Sequence, residues 1–475
     1  MSPSPLAVAI DLGSTLFKSA ILEADERLVA RRSIPVPPLV GEGAIREGDA
    51  DAYAHSSDRL LDDLARAVPC GTPLGLASQR SSFVLWDRVT GEPLTPLISW
   101  QDRRAAAWCA RHADASAEVT RRTGLVMTAH YVGPKLGALI ETDREWRDLL
   151  SRAATLLGTL DCWLVWRRTS GRVHEVDRTM AARTAMLDLA TGDWSDELLA
   201  LYGVSRRILP RVRSTNGFDT PLDDGLILRA SIADQAAGIL PLVDEHEDTI
   251  VIIVGTGGFV LRPRSRGEAA PPGYLLAPIL SRANGDSLWA HEGTVNGAGA
   301  AVDRYGPGPT ELPATDPTPE ALCLPDVAGL GAPWWRADVG LTFSDGTPEL
   351  DVPSKRRVVL EGLLFRLRQI VDDFGGGPPS RRVLLAGGLA REPFVASGLA
   401  ALLDCPIEVV DVPDAGLIGA GRLASGLAPY GAPRTIGVLP TVHGRYLPAK
   451  YRRWHAWARD LLAHPRGGSQ DGVRR

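Results

Sequence analysis

Apolar positions along the chain fall into short runs separated by glycine-rich polar turns. Ala7 to Ile10 is one such run; Asp11-Leu12-Gly13-Ser14-Thr15 follows, and then Phe17 to Leu22. The spacing predicts strand, tight turn, strand, because glycine permits a turn that side-chain-bearing residues resist. Leu28 to Val36 predicts a third strand, closed by Pro35, Pro37 and Pro38. Leu60, Leu61, Leu64 and Val68 share one stripe at helical spacing and predict a helix over 51–68. Thr72 to Ala77 reads as a central strand.

The same pattern returns in the second half. Thr249 to Val254 is apolar, Gly255-Thr256-Gly257-Gly258 is a turn, and Phe259-Val260-Leu261 resumes a strand. Strands are predicted over 274–280 and 287–291, and Glu292 to Ala300 reads as a turn into a Gly/Ala-rich helix. Ser354 reads as the N-cap of a helix to Phe374, with Val359, Leu363, Leu367, Ile370 and Phe374 as its buried face. A strand at 382–386, a helix at 393–403, a strand at 407–410 and a helix at 415–427 follow, the last packed through Gly416, Gly419 and Gly421. Pro210 to Leu228 is rich in Pro, Gly and Asp and marks the predicted boundary. The expected division is an N-terminal domain over 1–229, a C-terminal domain over 230–434, and a peripheral, partly disordered tail over 435–475. The Pro-rich stretch 306–320 is expected to be an exposed insertion.

Composition narrows the class. At 475 residues the chain exceeds what one core accommodates. A hydrophobic content of 44% with 23% charged residues is that of a soluble globular protein. The net charge of −5, without a basic run, argues against nucleic acid as a partner. No apolar run reaches membrane-spanning length, so no membrane partner is expected. The N-terminus has no basic-then-apolar segment, and the expected location is the cytoplasm. Cys70, Cys109, Cys162, Cys323 and Cys405 are scattered without a C-x-x-C pair. They read as small hydrophobes rather than a zinc site or disulfide framework.

Candidate chemistry gathers at the turns and strand ends. Ser14 and Thr15 put hydroxyls beside turn amides that point outward together, an arrangement that cradles phosphate. Asp11 leaves its strand at that turn, where a carboxylate can hold Mg²⁺ through water. Gly255, Thr256 and Gly257 repeat the arrangement. Either turn alone fits an ordinary hairpin; two in a chain of this size favour a nucleotide cleft. Gln79 and Arg80 stand at a predicted strand end, where α/β sheets bind ligands. Trp100 offers a flat wall for the C–H face of a polyol, and Asp102 and Arg80 offer bonds to hydroxyls. A surface salt-bridge cluster is the competing reading of those residues. His130, in a loop entering a helix, can touch substrate or serve structure. Asp234 opens a small-residue helix whose dipole keeps it ionised; a plain N-terminal helix acid reads the same way. Gly387 and Gly388 form a turn over which an adenine can lie.

In this order the residues resemble the FGGY carbohydrate kinases, relatives of glycerol kinase and xylulokinase. The matching pieces begin with Asp11-Leu12-Gly13-Ser14-Thr15, Gln79-Arg80, Trp86-Asp87, Thr90-Gly91-Glu92-Pro93-Leu94 and Trp100-Gln101-Asp102-Arg103. They continue with Gly158-Thr159, Thr184, Asp234-Gln235, Gly255-Thr256-Gly257-Gly258-Phe259, Gly329-Leu330-Gly331-Ala332-Pro333-Trp334, Gly340-Leu341-Thr342 and Gly387-Gly388. The resemblance covers about residues 6–426 and rests on the ordered set rather than on any one piece.

That resemblance implies an α/β fold of two actin-like (ribonuclease H-like) domains with a nucleotide cleft between them. It implies ATP-dependent phosphorylation of a sugar or polyol hydroxyl, with Asp234 as general base. Asp11 and Asp234 would organise Mg²⁺. Gly13, Ser14, Thr15, Gly255, Thr256 and Gly257 would hold phosphates; Gly387, Gly388 and Arg391 would flank the adenosine. Gln79, Arg80, Trp100, Asp102, His130, Asp234, Gln235 and Phe259 would face the substrate. Relatives are often dimers or tetramers, and a homodimer is the expectation here. Four positions depart from the glycerol kinase pattern: Ser81 stands in place of an acid, His130 in place of a tyrosine, Ala138 in place of a tryptophan, and Arg391 where an amide is common. Arg80 departs in turn from xylulokinase, which usually has a histidine there. A catalytically inactive sugar- or nucleotide-binding protein on the same fold, and another actin-like ATPase, are the rival readings.

Overall fold

The structure is a computed structural model describing residues 5–463, apart from 244–247, 266, 308–310, 376–381, 429, 432–434 and 441–442. The expected disorder of the far C-terminus falls largely outside the described residues.

The first half is built on a six-stranded sheet. Its strands are β1 (Pro5–Leu12), β2 (Leu16–Glu23), β3 (Leu28–Pro35), β4 (Pro73–Ser78), β5 (Thr220–Pro221) and β6 (Ile227–Ala233), in the order β5-β6-β4-β1-β2-β3. β1, β2 and β3 form the antiparallel meander expected, while β1, β4 and β6 run parallel. Ala7 to Ile10 are fully buried, as the uninterrupted apolar run requires of a strand covered on both faces. Helix α1 (Ala50–Ala67) follows β3, with Asp49 accepting from the amide of Ala52 at its start and Leu60, Leu61 and Leu64 inward.

The second half repeats the plan in seven strands. These are β7 (Thr249–Val254), β8 (Gly258–Arg264), β9 (Leu275–Ser281), β10 (Ser287–Val295), β11 (Arg382–Ala386), β12 (Ile407–Val410) and β13 (Thr435–Val438), ordered β9-β10-β8-β7-β11-β12-β13. Again an antiparallel hairpin, β7–β8, lies beside parallel strands, β7–β11–β12. The helices that matter below are α2 (Asp234–Ile239), α3 (Val352–Asp373), α4 (Pro393–Leu403), α5 (Ala415–Ser425) and α6 (Leu447–Ala463).

Helix α5 joins the halves. It is made late in the chain yet packs on β1, β4 and α2. The contact is backbone to backbone: a Cβ on Gly75 would lie 2.1 Å from the carbonyl oxygen of Ala420, and one on Gly419 would lie 2.0 Å from that of Ala237. The glycines of α5 are therefore packing surfaces, as their spacing suggested.

Several boundaries differ from expectation. β6 pairs with β4 through Ala233, so a division after residue 229 would cut a strand of the first sheet. A polar crossover marks a change of surface, not the end of a sheet. Helix α3 starts earlier, at Val352, and its N-cap is Asp351, which accepts from the amide of Ser354. β10 runs on to Val295 instead of stopping at His291, and the turn falls at Gly297, whose φ is +71°. Glu292 is thereby a strand residue.

The described residues within 435–463 are not peripheral. β13 pairs with β12, and α6 packs on α3 and α4. Trp454 is fully buried and donates to the carbonyl of Cys323 at 2.7 Å. Lys450, also fully buried, meets Glu361 at 2.7 Å and Asp316 at 3.1 Å. That lysine fastens the Pro-rich insertion to the domain. The amphipathic pattern of α6 was present, but its long polar face masks a stripe with one dominant aromatic.

Candidate active site

Both hairpin turns stand open to solvent at strand ends. Ser14, Thr15 and Thr256 are exposed. The first turn is braced from β4: the Gln79 amide nitrogen donates to the carbonyl of Leu12 at 2.9 Å, and its side chain donates to that of Gly13 at 3.3 Å. Gln79 is only 3% exposed, and its other side-chain atom accepts from Ser82 at 2.9 Å. It supports the turn rather than facing an open pocket, which corrects the expectation of a substrate contact. Ser82 in turn accepts from the amide of Trp100 at 3.1 Å, so turn and tryptophan are tied together.

The second turn is held by α-helical residues after β10 and by the loop after β11. The Gly299 amide donates to the carbonyl of Thr256 at 3.0 Å. A Cβ at position 299 would lie 2.0 Å from the carbonyl oxygen of Gly255, and one at Gly387 would lie 2.4 Å from that of Val254. Gly387 also has φ +97°, which side-chain-bearing residues resist. Gly387 thus brings its loop against the end of β7, beside the Gly255 turn. The tightness of the Gly299 contact gives a prediction: Gly299→Val displaces the turn and lowers kcat/KM for ATP about 100-fold, the scale of a misplacement near 1 Å. Initial rates with ATP varied measure it; an unchanged value would show that the turn does not position nucleotide.

A chain of charged groups runs from the first turn to β10. Asp11, at the end of β1, has a buried Oδ1 with no hydrogen-bond partner. Its carboxyl is pushed up to about 7, first by burial and then by Asp234, with Lys18 opposing. The first turn of α5 crowds it: a Cβ at Gly416 would lie 2.7 Å from Oδ2. Lys18 sits beside it and meets Asp414 at 2.9 Å. Asp234 opens α2 directly after β6, and its carboxylate accepts from the amide of Gln235 at 2.8 Å. Burial raises its pKa, with Arg80 and Arg183 pulling the other way. Arg80 Nε lies 3.9 Å from Asp234, and Arg80 Nη1 lies 3.6 Å from Glu292. Glu292 also accepts a hydrogen bond from Arg183.

Aromatic groups close the site. The Trp100 and His130 rings lie 5.6 Å apart, and His130 meets Tyr131 at 5.0 Å. Burial, then Lys135, holds the His130 imidazole well below its usual pKa, so it is neutral. The Phe259 ring would come within 3.6 Å of a Cβ on Gly257.

One expectation fails on geometry. Asp102 is fully buried, and its carboxylate accepts from the Arg46 amide and from the Arg104 amide and guanidinium. Four bonds fill a carboxylate's acceptor sites, so it serves the salt-bridge reading rather than substrate. Arg391, three residues past Gly388, is exposed and meets Asp411 at 3.1 Å. Sequence reading missed Glu292, Lys18 and Tyr131, and gave Arg183 no role. Arg183 and Glu292 are 109 positions apart, so no local pattern pairs them. An alternating strand extended past His291 would have exposed Glu292 as an inward acid.

Asp11 suits a cation: an orphaned buried carboxylate oxygen is what a cation relieves. Among the described residues no cluster of three or more His, Cys, Asp or Glu could hold a metal alone. Phosphate and water oxygens would supply the remaining ligands, as Mg²⁺ prefers.

Two hairpin-plus-parallel-sheet halves joined by a returning helix are an actin-like arrangement. Residues 6–220 match the N-terminal domain, and residues 250–426 the C-terminal domain, of the FGGY family of carbohydrate kinases. A glycerol kinase of Methylobacterium nodulans is 31% identical over 454 residues, covering 89% of each chain, and one of Allorhizobium ampelinum is 30% identical over 88% of this chain and 89% of its own. A Plasmodium falciparum glycerol kinase solved with ADP superposes with TM-score 0.83 at 19% identity, covering 97% of this chain and 99% of its own. A Lactobacillus acidophilus gluconate kinase superposes at 0.82 with 19% identity, covering 96% and 98%. The chain belongs to the FGGY family and is a carbohydrate kinase with two actin-like α/β domains. Among the described residues no helix is long and apolar enough to cross a membrane.

Proposed function

We propose that the protein transfers the γ-phosphoryl group of ATP to a hydroxyl of a sugar or polyol, with Asp234 as general base. The observation that carries this reading is the position of Asp234 at the start of α2, near enough to Asp11 to push its pKa up and with the Arg80 guanidinium 3.9 Å away. The substrate oxygen forms its bond to the γ-phosphorus as the bond to the ADP oxygen breaks, and the hydroxyl proton passes to Asp234. Phosphoryl transfer asks chiefly for alignment and charge neutralisation. Gly13, Ser14, Thr15 and the Gly255–Gly257 turn offer amides and hydroxyls to the phosphates; Gly387 and Gly388 border the nucleoside. Lys18 adds a cation beside Asp11. Mg²⁺, held through Asp11 with Asp234 nearby, would supply further neutralisation of phosphate charge. Arg80, Trp100, His130, Gln235 and Phe259 face the acceptor.

Ser81 does not replace the missing acid: it is buried and donates to the carbonyl of Arg183 at 2.8 Å. The acceptor pocket is therefore short of one carboxylate relative to the glycerol kinase pattern, which favours an acceptor other than glycerol. A coupled ADP-release assay over ketopentoses, tetritols, hexuloses and glycerol tests the reading. Acceptor-dependent ADP release by one member supports it; nucleotide binding with no turnover on any member supports the inactive binding protein instead.

Asp234 must be ionised to accept a proton, so kcat/KM rises with pH through its pKa. Burial places that midpoint above the ordinary aspartate value of 3.8. Because Arg80 lowers it, Arg80→Gln moves the acidic limb to higher pH, and a pH–rate profile of the two enzymes reads the shift. A limb that moved down would contradict the pairing.

A further inference from the structure

We propose that Glu292 is a positioning residue: it reaches from the second domain and sets Arg80 beside Asp234. This rests on the phosphotransfer reading above. Glu292 is 2% exposed, in the middle of β10, where its backbone pairs with Leu261 and Leu275. Its cationic partners both belong to the first half of the chain. Arg183 donates to it, and Arg80 Nη1 lies 3.6 Å away. Burial alone would raise the Glu292 carboxyl, but Arg183 and then Arg80 hold it below the ordinary value.

The arrangement needs this carboxylate. Arg183 is buried and Arg80 largely so, and their like charges disfavour one another. A buried charge is costly unless paired. Arg80 is also fixed by its neighbour, since Ser81 adopts φ +61° and its hydroxyl is bonded to the carbonyl of Arg183. Without Glu292 the carboxylate left within reach of Arg80 is Asp234. A guanidinium closed fully onto Asp234 would occupy the oxygens that must receive the substrate proton. Glu292 divides the attention of Arg80, 3.6 Å on one side and 3.9 Å on the other. It does so across the domain boundary, so the acceptor pocket is complete only while the domains are together.

The test takes an acceptor that the wild-type enzyme phosphorylates and compares Glu292→Gln, Arg80→Gln and the double variant by initial rates. Absence of wild-type turnover would fail the phosphotransfer reading, not this one. The expected result is an acceptor KM raised about tenfold or more in Glu292→Gln, with the ATP KM within about twofold. The double variant should then be no worse than Arg80→Gln alone, because both changes remove one coupled interaction. Equal weakening of ATP and acceptor, costs that simply add, or an unchanged acceptor KM would each overturn the proposal. Should Glu292→Gln not fold, Glu292→Asp keeps the charge with a shorter reach. The proposal predicts a raised acceptor KM there too, and a wild-type value would overturn it.

Discussion

Asp234→Asn should lower kcat by about 10²–10⁴-fold, the usual contribution of a positioned general base. The amide keeps the size and the hydrogen bond from the Gln235 amide region, but cannot take the proton. Because the transition state of phosphoryl transfer is loose, the proton leaves late and the nucleophile needs little activation. The loss should therefore fall nearer the lower end of that range. ATP binding should survive, since the turns around Gly13 and Gly255 do not depend on Asp234 for their bracing hydrogen bonds. Steady-state kinetics with calorimetric titration of ATP separates the two effects. A kcat equal to that of the wild type would remove the base assignment.

Trp454→Ala should cost about 3–5 kcal/mol of stability, the range for emptying a large buried aromatic site. Trp454 is fully enclosed among residues of the second core, lies 5.8 Å from the Phe365 ring, and satisfies the carbonyl of Cys323. Removal leaves both a cavity and an unpaired buried acceptor, and the second effect adds to the first. The neighbouring Lys450–Glu361 contact, carried on the same helix, would be loosened with it. Equilibrium denaturation reads the change. A loss below about 1 kcal/mol, the scale of a surface substitution, would make α6 an appendage.

The sequence carried the two sheets well because their strands are short apolar runs ended by glycine. β1, β7 and both hairpins lie where the pattern put them. Local chemistry was less decisive at the ends of elements. Ser354 looked like a cap, yet Asp351 lies three residues earlier and a proline follows Val352, so the helix starts there. Asp102 and Gln79 illustrate a different limit. Both are polar residues at strand ends of the right type for ligand contact, and both spend their side chains on this chain's own backbone or guanidinium groups. Only tertiary packing distinguishes a free polar group from a satisfied one. Arg80 and Asp234 face each other across the ends of neighbouring strands β4 and β6, 3.9 Å apart. Glu292 was invisible for the opposite reason: its partners come from a distant part of the chain. The tail was misjudged because one buried tryptophan and one buried lysine outweigh a largely polar helix surface.

The account's central claim is that turns from opposite halves of the chain hold one nucleotide. Hydrogen exchange of the full-length protein, with and without Mg²⁺ and a non-hydrolysable ATP analogue, tests it most directly. Amides near Gly13–Thr15, Gly255–Gly257 and Gly387–Gly388 should slow in step with one another at a single saturating concentration. Protection confined to one half of the chain, or lying away from all three turns, would contradict it.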